Sequence, residues 1–271
     1  MSLQDSLFPF GGNHAIQNAV FVLEWTEPLP SAFFEKLREV VEPLKSEFPG
    51  PIQDQRRLTV NFSPGGHQVQ TDEPGGFVLT RAGSAPSTNA RSIVLGDQQC
   101  LIQIGDYTRW KHAKADVDRY LDLLFPEIAT VRPIGVIGLQ YVDVFNWKGD
   151  PAAMQVADVL RTDSKYLSSN VFAVNELWHS HHGYFDSYQQ PREGKQLDNI
   201  NVSRVETAGL SSIQILTSHR SQFRNPLWAS DAEARSVFDV TFERMHDRNK
   251  AILADLLTEP VQQMIKLNYS V

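Results

Sequence analysis

The sequence predicts an α+β protein built on a mainly antiparallel sheet. Three observations carry this. Short apolar, β-branched-rich runs recur along most of the chain, separated by turns marked with Pro and Gly. The last three runs are joined by short turns, which antiparallel neighbours allow and parallel ones do not. A long stretch near the C-terminus has helical rather than strand period. The length of 271 residues, 41% of them apolar and 21% charged, suffices for a large core. Residues 1–271 therefore read as a single domain. Within it, 13–147 is a β-α-β-rich part and 151–271 a β-meander followed by the long helix.

The elements follow in order. Asn18 to Trp25 (NAVFVLEW) is β-rich and reads as the first strand. Glu27-Pro28-Leu29-Pro30 then turns the chain, and Ser31 is placed to cap a helix that carries Glu35 in its first turn. Phe33, Leu37, Val40, Val41 and Leu44 recur at helical spacing, and Phe48-Pro49-Gly50-Pro51 stops the run. Arg57 to Phe62 alternates as a strand should. Pro64-Gly65-Gly66 and Pro74-Gly75-Gly76 read as turns, leaving His67 to Glu73 as a short edge strand or loop. Gly76–Arg81, Arg91–Leu95 and Gln99–Ile104 read as strands, and Ala82 to Asn89 as a loop by composition.

A second helix is expected from Thr108 to Phe125, closed by Pro126. Ile134 to Trp147 (IGVIGLQYVDVFNW) is apolar on both faces and should lie centrally in a sheet. Lys148-Gly149-Asp150-Pro151 is the linker candidate, followed by a short helix over 152–160. Ala173–Tyr188, Lys195–Glu206 and Ser211–Arg220 form the meander, joined through Gln190–Gly194 and Thr207-Ala208-Gly209. Ser230 and Glu233 have capping-box spacing. They predict the long C-terminal helix over about 231–257, one of the helices packed on the sheet, with Pro260 marking its end.

Composition narrows the function classes. The net charge of −7 disfavours non-specific binding to nucleic acid or anionic membrane. Cys100 is the sole cysteine, so no intramolecular disulfide or cysteine metal cluster is available. The N-terminus lacks a basic region followed by an apolar one, and no apolar run approaches the ~20 residues that cross a bilayer. A cytoplasmic location is the expectation.

The Pro28-Leu29-Pro30 turn within Val20–Leu44, the strand Gly138-Leu139-Gln140-Tyr141-Val142-Asp143 and the long helix with its tail, Phe238–Leu267, carry a resemblance. The chain resembles a sporadically distributed bacterial family of about this length with no assigned activity. That family has a Gly-Leu-Arg-Tyr-Ile-Asn type of central strand. Here Gln140 stands for the arginine and Asp143 for the asparagine, so any role of that arginine is lost. The resemblance implies one α+β architecture and no particular reaction.

Three constellations could carry function. Trp178 to Asp186 (WHSHHGYFD) holds three of the eight histidines. On a strand, His179 and His181 share a face, a spacing that suits two imidazoles on one transition metal such as Zn. A third ligand would come from His219 or Asp198. Arg204 and Arg220, with the aromatics Trp178 and Tyr184, could hold an anionic small molecule or a protein partner between the meander and the long helix. Cys100 sits in an apolar strand and is expected to be inert. No phosphate loop, nucleophile elbow or dinucleotide fingerprint occurs. Three expectations follow. The first is a non-catalytic ligand- or partner-binding protein without a cofactor. The alternatives are a metal-dependent hydrolase using His179 and His181, and a structural subunit of a homo-oligomer joined through its long helix.

Overall fold

A computed structural model describes residues 6–63, 66–83, 89–174, 176–207 and 209–267. The expected turn at Pro64-Gly65, most of the Ala82–Asn89 loop and Ala208 lie outside them. The strands are β1 (Leu7–Pro9), β2 (Ile16–Trp25), β3 (Gln53–Ser63), β4 (Gly66–Ala82), β5 (Asn89–Leu95), β6 (Gln99–Ile104), β7 (Ile134–Trp147), β8 (Trp178–Tyr188), β9 (Gly194–Thr207) and β10 (Leu210–Leu227). The helices are α1 (Phe33–Val40), α2 (Trp110–Val131), α3 (Val156–Val159), α4 (Ala234–Leu256) and α5 (Glu259–Met264). The α+β class is thus observed, with a large antiparallel sheet.

The chain forms two compact units of discontinuous segments. One comprises the chain up to Ala19, Gly138–Gln222 and the part from Val237; the other comprises Val20–Ile137 and Phe223–Ser236. The Lys148–Pro151 linker candidate falls inside the first unit.

In the second unit the strand order is β3-β4-β5-β6-β2, and β3–β4, β4–β5 and β5–β6 are antiparallel. Strand β2 shows why its sequence makes a strand. Phe21, Leu23 and Trp25 are buried, and the residues between them are half-exposed, the period-2 pattern of a sheet with one covered face. His67–Glu73, expected as a short edge strand or loop, belongs to the 17-residue β4.

Helix α1 ends at Val40, and Pro43 lies in a separate 3-10 turn, Glu42–Leu44. Ser31 does not cap α1; its hydroxyl donates to Glu73 Oε2 at 3.0 Å. Helix α2 runs on past Pro126 to Val131. The apolar face decides this: Leu124, Ile128 and Ala129 are buried on either side of the exposed proline. Their packing outweighs the hydrogen bond that proline removes.

In the first unit the order is β7-β10-β9-β8, with β1 antiparallel on β7. Strand β7 spans the expected residues and has strands on both sides. The core draws Phe145, Trp147, Ile200, Val202, Ile213 and Ile215 from the sheet and Ile252, Leu253 and Leu256 from α4. Burying each such side chain contributes roughly 1.5–3 kcal/mol. Helix α4 begins at Ala234 rather than near 231, because Asp231 is held in the preceding turn, where its carboxylate accepts the Trp228 N–H at 3.1 Å. Among the described residues no helix is long and apolar enough to cross a membrane, which says nothing of a β-barrel.

Candidate functional site

Strands β8 and β9 pair in unbroken antiparallel register, Trp178 opposite Arg204 through Tyr188 opposite Gly194. Opposed residues share a face. On β9 the buried set is Gln196, Asp198, Ile200, Val202 and Arg204. Facing them on β8 are Trp178, Ser180, His182, Tyr184 and Asp186. This is the face covered by α4. His179, His181 and Phe185 lie on the opposite face, beside Asn199, Asn201 and Ser203.

A buried polar network occupies the α4 side. Asp198 and His219 are both 0% exposed. Asp198 Oδ1 accepts from His219 Nδ1 at 2.6 Å and from Gln196 Nε2 at 2.7 Å, while Oδ2 accepts from Arg248 Nε at 3.1 Å. Burial pushes the Asp198 carboxyl upward. The His219 hydrogen bond and charge, the Gln196 amide and Arg248 outweigh it, and hold the group below its ordinary range. His219 Nε2 is buried with no hydrogen-bond partner. Alongside, Thr217 Oγ1 donates to Asn249 Oδ1 at 2.6 Å.

The network surfaces at the sheet edge. Arg248 lies over the Tyr184 ring at 5.4 Å, and its Nη2 is 3.8 Å from Asp186 Oδ2. One turn earlier on α4, Arg244 lies over the Tyr188 ring at 3.7 Å. Its guanidinium donates to Gln190 O at 2.8 Å and Ser221 Oγ at 3.1 Å. Such ring contacts contribute about 0.5–1 kcal/mol where exposed. Tyr166 and Tyr184 stack with centroids 6.2 Å apart, and His182 packs against both at 5.7 and 5.6 Å. Tyr166 is set by α4 as well. Asp255 Oδ1 accepts from Ser164 Oγ at 2.7 Å and from Lys165 N at 3.2 Å, and Ser164 Oγ in turn accepts the Tyr166 N–H at 3.2 Å.

The structure separates several residues that the sequence grouped into one site. His179 and His181 are exposed on one face, whereas His219 and Asp198 are buried on the other. The reason is strand parity, which the sequence shows within one strand but not between strands. Among the described residues no group of three or more His, Cys, Asp or Glu is arranged to hold a metal ion. Arg204 and Arg220 are likewise parted. Arg204 is buried and donates to Pro151 O at 2.8 Å, while Arg220 follows His219 in β10 and points to the other face. Trp178 and Tyr184 do share the α4 face with Arg204, and Trp178 Nε1 has no hydrogen-bond partner. His182 lay within the histidine-rich stretch without being picked as a ligand, and Tyr166, Arg244 and Arg248 were not singled out by the sequence. For Arg244 and Arg248 the i,i+4 spacing on α4 was the signal.

Two further clusters complete the picture. Asp143, on β7, is 1% exposed, and its Oδ2 has no hydrogen-bond partner; burial pushes its carboxyl up to about 7. Two residues earlier, the Tyr141 hydroxyl meets His246 Nδ1 at 3.0 Å. His246 is pushed down to about 4, by burial first and by Lys250 and His219 after it. In the second unit, Arg91 pairs with Asp116 at 2.7 Å, Asp106 at 2.9 Å and Glu47 at 3.2 Å. Arg119 reaches Glu47 Oε2 at 2.7 Å. This mutually neutralised network ties α2 to the sheet. Compared with known protein families and with curated proteins, the chain matches none.

Proposed function

We infer that this is a non-catalytic binding protein that takes up an extended polypeptide segment along the outer edge of β8. The observation that carries the reading is the strand itself. Strand β8 ends the strand order and keeps eleven residues in register with β9. It also carries His182 and Tyr184, packed against the buried Tyr166, on one face and Phe185, 72% exposed, on the other. An added strand gains main-chain hydrogen bonds from such an edge and selectivity from alternate side chains. Asp198 supports the assignment from beneath. Both its oxygens are engaged, Oδ1 by His219 and Gln196 and Oδ2 by Arg248, which lies over the Tyr184 ring.

The test uses the immobilised full chain and an extract of the organism that encodes it. A polypeptide cross-linked to the wild type should be lost with Phe185→Lys and with Tyr184→Ser, since a lysine on an edge strand opposes pairing. Equal capture by both variants, or no captured polypeptide at all, overturns the reading.

A further inference from the structure

Deepening that reading, and resting on it, we propose that the segment paired with β8 is β8 of a second copy of this chain. The two copies pair antiparallel about a two-fold axis at Gly183, perpendicular to the sheet.

The two sheet margins differ in the way this requires. Strand β3, the outer strand of the second unit, is broken by two register shifts against β4, at Gln55/Arg56 and Arg57/Leu58. It also carries Asp54, paired with Arg38, and Arg57, paired with Asp97 at 3.4 Å. Bulges and charges of this kind are how proteins keep an edge from pairing. Strand β8 has no such bulge and carries less charge. Its register is unbroken over eleven residues, it contains no proline or lysine, and Asp186 is its sole acidic residue.

The sequence of β8, WHSHHGYFDSY, is complementary to itself when reversed. A two-fold perpendicular to the sheet keeps the α4 sides of both copies on one side, so opposed residues must have equal parity. Centring on Gly183 is the arrangement that pairs all eleven residues of each strand. It places the residue without a side chain on the axis. His182 then opposes Tyr184 of the second copy, His181 opposes Phe185, and Ser180 opposes the Asp186 carboxylate. Trp178 opposes Tyr188. No like charges meet, and the ring pairs are of the kind that stabilise cross-strand contacts. An antiparallel pair of this length forms about ten main-chain hydrogen bonds, close to what a whole interface commonly carries.

The test is sedimentation velocity of the full chain over a concentration series, with three proteins. Wild type should associate to a dimer. Phe185→Lys should weaken the dimer at least about tenfold. Combining Phe185→Lys with His181→Asp should restore it, because each new lysine then faces an aspartate of the other copy. Both positions are exposed, and thermal unfolding of each variant verifies folding. A wild type that stays monomeric, a dimer indifferent to Phe185→Lys, or a double variant without rescue overturns the proposal. A monomeric wild type that still captures a different polypeptide through β8 overturns this inference alone. A monomer that captures nothing overturns the binding reading as well.

Discussion

Asp198 and His219, neither with any solvent exposure, are joined by a 2.6 Å hydrogen bond from imidazole Nδ1 to carboxylate Oδ1. The remaining Asp198 oxygen holds Arg248 at the sheet edge. A buried charge is tolerated only when its partners compensate the lost hydration, and here one carboxylate has three. The pair thereby turns a buried ionic arrangement into a fixed surface guanidinium.

Asp198→Asn should lower the unfolding free energy by about 2–4 kcal/mol at pH 7, since it leaves Arg248 and His219 without their anion. The pH dependence has a definite sign. An unfolded aspartate titrates near 3.9, and Asp198 is held below that range when folded. Its contribution is therefore present above pH about 4 and is lost as pH falls through the folded value. Denaturant titrations should show the gap between wild type and Asp198→Asn narrowing as pH drops below about 4. A gap independent of pH would show that Asp198 is not ionised in the folded protein.

Asp143 should behave in the opposite sense. Burial raises its carboxyl to about 7 with no partner on Oδ2. Between pH about 4 and 7 the folded chain retains a proton that the unfolded chain releases, so stability declines with rising pH across that window and levels off above it. Asp143→Asn removes this ionisation. It should stabilise the protein by about 1–3 kcal/mol at pH 8, after allowance for the unpaired amide, and by far less near pH 4. Unfolding curves at the two pH values check it, and a variant less stable at pH 8 would contradict it.

Cys100 should be silent in the native state. It is fully buried, and burial pushes its thiol up to about 12, so neither access nor thiolate is available at neutral pH. A chromogenic disulfide reagent should report less than about 0.1 thiol per chain before denaturant and close to one after it. Fast labelling of folded protein would mean that β6 opens readily.

Local chemistry made much of the fold legible. The expected Gln99–Ile104 and Ile134–Trp147 strands are the observed β6 and β7. Strand identity there follows from composition and alternation within a few residues. The start of α4 moved through a local contact, Asp231 accepting the Trp228 N–H, whereas α1 and α2 departed from expectation where distant partners intervened. Glu73 takes Ser31 away from capping, and a buried face carries α2 through Pro126.

The candidate site was less legible. On the histidine-rich strand, His182 and Tyr184 share the face of Asp198 and His219, whereas His179 and His181 lie on the other. Arg248 lies 50 residues from Asp198, and His219 lies 21 from it. A sequence shows which residues of one strand share a face, because side chains alternate by steric necessity. It does not show which strand lies alongside, or in what register, because pairing is chosen by the burial of the whole sheet. By itself, then, the chain determined its class, most of its strands and the place of Cys100 in an apolar strand. Only the tertiary structure decided that Asp198, His219 and Arg248 meet, that Arg204 and Arg220 do not, and that β8 is left at the edge.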